Sequence, residues 1–291
     1  MSGDIVTTIV SGLLQGGIYG LLAMGLSLQY GICRVLNITH GEFAMLGAVL
    51  TYSLSKGLGI NPLVTVVIIG PLLFGLGFLL QATLFRGLKA RAPAPAAFEG
   101  NALLAAFGLM YIIDYIAYLR WGTSLMPSQW LNTKVPGLGI DVYVNQIVAF
   151  AIAVVLGIAV YLFLTRSKLG RAIRATAEDP ATAGLMGVNT NTILAFCFGL
   201  GALLAGIAGI LTSIRTFANT SVGFNSTVIA LVVVTLGGLG SVPGSFVAGI
   251  LVGIVSMVVT RFWEPVLNVA VYYAMLMVLL LARPAGILGK K

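Results

Sequence analysis

Apolar runs long enough to cross a bilayer alternate with short polar segments along the whole chain. Ile5 to Tyr30 reads as a first spanning helix, with Gln15 and Gln29 its strongly polar side chains and with glycines at 12, 16, 17, 20 and 25. Small residues of this kind let helix backbones approach closely in a membrane. Gly31 to Gly41 interrupts the pattern, placing Arg34, Asn37, Thr39 and His40 within seven residues, with Glu42 just beyond. Lipid cannot satisfy free backbone groups, so this segment either leaves the membrane or lines a protected cavity. Asn37 to Thr39 can also cap the helix that resumes at Phe43 and runs to Ser55, with Gly41 in its first turn.

The alternation continues. Asn61-Pro62 opens a span to Phe85. Arg86 to Asn101, with Lys89, Arg91, Pro93 and Pro95, reads as a basic loop. Ala102 to Leu119 spans back, and Asp114, near its far end, reaches for the interface. Arg120 to Asp141 carries Trp121, Trp130, Pro127 and Pro136, a composition that suits an interfacial belt on the opposite side. Val142 to Thr165 and Thr192 to Ile214 are further spans flanking a long polar segment, and a short polar loop follows at Arg215 to Ser226. Val228 to Leu236 is half a span, broken by Gly237 to Gly244 (GGLGSVPG) before helix continues from Ser245 to Thr260. Trp263 and Pro265 mark another interface, and Leu267 to Ala282 is the last span. The expected fold is all-α: a polytopic transmembrane helical bundle of about 8–9 spans with two interrupted segments, forming one domain over residues 1–291.

Composition excludes the alternatives. The 291 residues are 59% hydrophobic and 8% charged, against about 25% charged in soluble domains, and the mean hydropathy is +1.05. The short alternation of a membrane β-barrel is absent. The net charge of +8 does not point to nucleic acid, because the bases sit at the ends of apolar runs. With residues 166–191 and the C-terminus inside, eleven bases fall inside, including Arg34, Arg283, Lys290 and Lys291. Five fall outside: Lys56, Arg120, Lys134, Arg215 and Arg261. This gives nine crossings and an outside N-terminus, or eight and an inside N-terminus if one interrupted segment is re-entrant. Cys33 and Cys197 lie in or beside apolar segments without metal-ligand spacing, so no disulfide framework, metal or cofactor is expected. Asp4 before the first apolar run, with no basic segment, argues against a cleaved signal peptide.

The segment Arg166 to Asn191 (RSKLGRAIRATAEDPATAGLMGVNTN) holds a compact helix signature. Asp179 suits a cap, Pro180 the first helical position, and Gly187 the left-handed residue past the end, giving a helix Pro180 to Met186. Leu185 and Met186 form an apolar tip in an otherwise polar loop. The segment is either a solvated connector or a contact to a partner. Arg174 and Glu178, four apart, are spaced to pair across a helical turn. A short internal likeness links HGEFAMLGAVLTY, from His40, with PGSFVAGILVGIV, from Pro243. Corresponding interrupted segments in two halves point to a substrate path in transporters. The polar or glycine-rich breaks supply the path candidates: Asn37, Thr39, His40, Gly41 and Glu42, and Gly237, Gly238, Gly240 and Ser241. For His40 the reading is bracing of the break rather than solute contact, and Glu42 has Arg34 or His40 as candidate partners.

Four stretches in order carry a family likeness: YGLLAMGLSLQYGICRVLNITHGEFAMLGA from Tyr19, GRAIRATAEDPATAGLMGVN from Gly170, GGLGSVPGSFVAGILVG from Gly237 and RPAGILG from Arg283. The chain resembles permease subunits of ATP-driven importers for branched-chain amino acids, the LivH type. That resemblance implies a bacterial inner-membrane protein with separate ATPase subunits, a second permease (identical or homologous) and an extracytoplasmic solute-binding protein. It implies a coupling role for Arg174, Glu178, Asp179, Pro180, Ala181, Gly184, Leu185, Met186, Gly187 and Val188. The family includes importers of urea and short amides, so the cargo stays open among small neutral or zwitterionic solutes. The chain has no G-x-x-x-x-G-K-[ST] loop of its own. Two readings of other classes compete. An ion-coupled secondary transporter would rely on Glu42 and Asp114, and a membrane enzyme would rely on His40 and Glu42.

Overall fold

The computed structural model describes residues 2–127, 130–135, 141–283 and 286–287. Pro136, Lys290 and Lys291, and parts of the terminal RPAGILG stretch, lie outside the described residues. The elements in order are α1 (Ser2–Cys33), α2 (His40–Leu58), α3 (Thr65–Leu80), a π turn (Gln81–Phe85), α4 (Arg86–Arg91), α5 (Pro95–Trp121), β1 (Met126–Pro127), α6 (Val144–Arg166), α7 (Lys168–Glu178), α8 (Pro180–Leu185), α9 (Thr190–Arg215), β2 (Phe217–Ala218), α10 (Val222–Gly237), α11 (Val242–Phe262) and α12 (Leu267–Ala282). Six helical segments are long and apolar enough to cross a bilayer alone: α1, α3 through α4, α5, α6, α9 and α11. The fold is an all-α transmembrane bundle. Its two-residue strands pair antiparallel, Met126 opposite Ala218.

The centre of the bundle is α9, sandwiched between α1, α2 and α3. It runs antiparallel to α1: the Gln29 side chain bonds Phe198 O and the Cys33 thiol reaches Leu194 O. Helix α11 also runs antiparallel to α1, and here the two backbones touch. A Cβ on Gly253 would sit 2.3 Å from Gly16 Cα, and one on Gly209 of α9 would sit 1.8 Å from Ala44 O of α2. Without a hydrophobic drive between helices in lipid, such close packing is what holds a bundle together.

The segment between α1 and α2 doubles back. Cys33 ends α1, yet His40, which opens α2, lies against Leu22 O. Eleven residues of helix are about 16 Å, so α2 begins near the middle of α1's length. It then runs to the end of the bundle where Trp121 Nε1 donates to Ser53 Oγ. The segment after α9 does the same in the opposite sense. Helix α10 begins where Thr227 Oγ1 accepts from Gly41 N, and it ends where Ile287 N donates to Leu236 O. The order of a full helix, a doubled-back break, a helix starting at mid-depth and two more helices therefore occurs twice, inverted: α1-α2-α3-α5 and α9-α10-α11-α12.

This corrects the internal repeat. The sequence likeness aligned α2 with α11, because both open on a glycine and a phenylalanine after a break. The architecture pairs α2 with α10, and the break that matches Arg34–Thr39 is residues 216–221. The directions agree with nine crossings and with α1 starting on the face opposite Arg86, Arg166 and Arg171, the basic and hence cytoplasmic face. Residues 86–101 are not a loop: α3 carries on through the π turn and α4, and α5 starts at Pro95, leaving three residues between them. The long stems of Arg86 and Lys89 allow helix to persist there while their charges reach water.

Replacing Gly209 by alanine forces Cβ into the α2 backbone, where overpacking costs about 1–3 kcal/mol. Gly108→Ala on α5, with nothing within 4 Å, is the control. Thermal unfolding of the detergent-purified protein is expected to drop by several degrees for the first and to stay unchanged for the second.

Candidate functional site

Two sites emerge from the sequence candidates, one at mid-depth and one on the cytoplasmic face. At mid-depth, the doubled-back break buries Asn37, Thr39 and His40 completely. Its backbone needs partners, and side chains provide them. Asn37 Oδ1 accepts from Thr39 N at 3.1 Å, Thr39 Oγ1 donates to Ala106 O of α5 at 2.8 Å, and Thr227 Oγ1 donates to Ile38 O at 2.8 Å. Gln29 is the hub. Its Oε1 accepts from Asn37 Nδ2 at 3.1 Å and lies 3.2 Å from His40 Nδ1, while its Nε2 donates to Phe198 O at 2.9 Å. His40 Nε2 is 3.0 Å from Leu22 O. The imidazole thus lies between two oxygen acceptors of α1, and its one N–H donates to one of them. Thr39 is the residue before α2 but makes no side-chain cap; its hydroxyl is spent on α5.

Glu42 pairs with neither expected partner. Arg34 is exposed at the far end of α1, its backbone at φ 54°, and the His40 ring lies against Gln29 and Leu22 of α1. The Glu42 carboxylate lies instead at the start of α10, where a Cβ on Gly223 would be 2.3 Å from both oxygens. Its Oε2 is buried without a hydrogen-bond partner. It lines a cavity of about 300 Å³ with Met110, Tyr111, Asp114, Ser221 and Phe224.

The glycine break does not join this cluster. Gly240 lies against Gly31, near the cytoplasmic end of α1. There Gly240 and Ser241 line a second cavity, about 220 Å³, with Ser27, Ile173 and Arg174. Gly237 packs on Gly244 and Ser245 across the turn. Gly238 (φ 100°) and Gly240 (φ 84°) take left-handed conformations that reverse the chain, and Ser241 Oγ caps α11 by accepting from Gly244 N.

On the cytoplasmic face, α7 lies along the bundle with Ile173 and Thr176 buried. The expected Arg174–Glu178 pair does not form. Arg174 donates to Leu164 O, at the end of α6, and so ties α7 to a spanning helix. Asp179 Oδ1 accepts from Ala181 N at 2.9 Å, and Thr182 Oγ1 donates to Asp179 Oδ2. The helix closes with a Schellman motif: Val188 N donates to Ala183 O and Gly187 N to Gly184 O. Gly187 has φ 83°. Helix α8 ends at Leu185, with Met186 as its C-terminal cap. Leu185 is 89% exposed and Met186 81%, an apolar pair held out on a helix locked at both ends.

The family model for the branched-chain amino acid transport system permease component matches residues 8–280. The chain belongs to this family. It is 29% identical to the high-affinity branched-chain amino acid transport system permease protein BraD of Pseudomonas aeruginosa, over 97% of this chain and 95% of that protein. It is 28% identical to the LivH permeases of Salmonella typhimurium and of Escherichia coli, over 96% of this chain and 94% of each. No solved structure matches it. As a permease component, the protein is a multi-pass membrane transport subunit rather than an enzyme.

Two contributors to the mid-depth site of this permease, Gln29 and Thr227, escape a reading by residue type. Gln29 stood out only as a polar residue in an apolar helix. Thr227 looks like any threonine in a span. Asp114, read both as an interfacial acid and as a candidate companion of Glu42, lines the same cavity as Glu42.

Replacing Gln29 by leucine leaves Asn37, His40 and Phe198 O short of partners. At roughly 0.6 kcal/mol or more per contact, the loss is about 2 kcal/mol, read as a lowered melting temperature in detergent. The Thr182 hydroxyl and the Ala181 N–H hold the Asp179 carboxyl below its ordinary 3.8. A depressed acid contributes its stabilisation above its unfolded value and loses it as pH falls through the folded one. Hydrogen-exchange protection at Ala181 is therefore expected to be flat from about pH 8 to 5 and to fall only below 3.8. Asp179→Ala removes that protection at every pH.

Proposed function

We propose that this chain is one of two permease subunits of an ATP-driven importer, with branched-chain amino acids as its cargo. Separate ATPase subunits dock on α8, a soluble binding protein delivers solute at the outer face, and a second permease, identical or homologous, completes the pathway. Residues 1–291 act as one transmembrane domain. The observation that carries the reading is α8 itself. An amphipathic helix laid in a partner's groove needs an apolar tip presented in a fixed orientation, and Leu185 and Met186 have that exposure while Asp179 and Gly187 fix the helix ends. A mere connector has no use for two large apolar side chains in water.

The same geometry supports a route for motion. Helix α8 follows α7 directly, α7 is bonded to the end of α6 through Arg174, and Arg174 shares a cavity with the Gly240 turn that rests on α1. Closure of the ATPases would push α8, move α7, and bear on α1, α6 and α11 together. Bracing by Asn37, Thr39 and His40 would keep the break intact while the helices rock. ATP chemistry stays on the partner subunits, and the bond-free work of this chain is to alternate access.

The test replaces Leu185 and Met186 by glutamate in the chromosomal protein. The double variant is expected to reach the membrane in normal amount, to co-purify with little ATPase subunit, and to lose most ATP-dependent leucine uptake. Undiminished co-purification and uptake would remove the docking role of α8.

A further inference from the structure

We infer that Glu42 and Asp114 form a binding pocket for the ammonium group of the transported solute. The inference rests on the permease reading above and narrows its cargo to solutes that carry a cationic amine.

Glu42 is 1% exposed, its Oε2 is buried without a hydrogen-bond partner, and the residue borders the cavity that Asp114 also lines. Leaving an acceptor of this kind unpaired at membrane depth is costly, and ionisable groups there face a cavity or a partner. The buried polar side chains beside it, Asn37, Thr39 and His40, are all bonded within the protein. Glu42 stands apart as a side chain that the fold positions and does not use.

The Glu42 carboxyl sits between two helix starts. The helices α2 and α10 begin beside each other, so that Gly41 and Gly223 are in near contact. Glu42 belongs to the first turn of α2 and lies against the first turn of α10. Two helix N-termini present partial positive charge to it. Gly223 gives the room, since any Cβ there would meet both oxygens. The terminal N–H groups themselves are engaged: Gly41 N on Thr227 and Glu42 N on Thr39 O. Neither of them bonds the Glu42 carboxyl. Asp114 adds a second acid to the same cavity, and two acids converging in low-dielectric walls attract a cation. The remaining lining, Met110, Tyr111 and Phe224, offers aromatic faces to an ammonium and apolar surface to an aliphatic side chain. A ligand without a cation, urea or a simple amide, leaves both acids unneutralised.

The test uses the protein purified from its native membrane with its associated subunits, in lipid nanodiscs. The probes are radiolabelled 3-methylbutylamine, cationic at neutral pH, with 4-methylpentanoate and L-leucine as competitors. Saturable amine binding is expected, displaced by leucine and not by 4-methylpentanoate. It should weaken at least about tenfold in Glu42→Gln and in Asp114→Asn, with melting temperatures unchanged. Asp114 is only partly buried, so Asp114→Asn carries the test if Glu42→Gln misfolds. Equal amine affinity in wild type and Asp114→Asn, or equal displacement by 4-methylpentanoate, overturns the pocket. Carboxylate-dependent amine binding in a protein that fails to import leucine keeps the pocket and sinks the amino-acid cargo. Normal leucine uptake in both variants without amine binding does the reverse.

Discussion

Everything at the middle of this molecule depends on one requirement: a backbone that leaves helical geometry inside a membrane must find its hydrogen bonds in protein. Residues 34–39 leave helix at the end of α1 and turn back toward its midpoint. Gln29, Asn37, Thr39, His40 and Thr227 supply the partners, and several of them bridge helices. Because Gln29 binds α9 as well as the break, and Thr39 binds α5, the repair of one segment also fixes how four helices sit. The lone histidine is accounted for by this duty. Its ring is packed between Gln29 and Leu22 O in that bracing, which argues against the enzyme reading that needed it free.

The break gives the fold something that unbroken spans lack. It lets α2 and α10 start at mid-depth, nose to nose, which puts two helix N-termini and the Glu42 carboxylate in the middle of the bundle. The inverted repeat follows from the same arrangement, since a second break after α9 is what brings α10 to meet α2. Glycine makes the meeting physically possible. With a side chain at position 41 or 223, the two helix starts would be pushed apart and the carboxylate displaced.

Much of this was legible in the sequence. The spans, the basic face and the capped helix at Asp179 follow from apolar run length, lysine and arginine placement, and local capping chemistry, which are properties of neighbouring residues. What was not legible is pairing across distance. Residues 216–221 look like an ordinary polar loop, and only the contact of Thr227 with Gly41 reveals them as the partner of the first break. Glu42 was seen as a candidate, but its environment could not be, because Gly223 and Asp114 lie far away in sequence. Charge spacing misled at Arg174: the i, i+4 rule offered Glu178, while the open carbonyl at the end of α6 is a nearer acceptor for a guanidinium that must anchor α7.

The two sites lie at different depths, and that separation is itself informative. The Gly240 turn and Arg174 sit near the cytoplasmic end of α1, whereas Glu42 sits close to the level of Leu22, so about 14 Å of helix, nine residues, lies between them. A push on α8 cannot reach Glu42 by direct contact. On the function proposed here it would travel through α1, which carries Gly31 against the turn at one level and Leu22 and Gln29 against the break at the other. The contacts along α1 are made by glycines rather than bulky side chains, and the Gln29 hub ties α1, α9 and the break together. The acidic cavity is bounded by α2, α5 and the start of α10, so on the proposed function a tilt of α1 and α9 against α5 would change its shape. A rigid braced core beside an α5 wall lined by Tyr111 and Asp114 is an arrangement that can open a pocket to one side at a time.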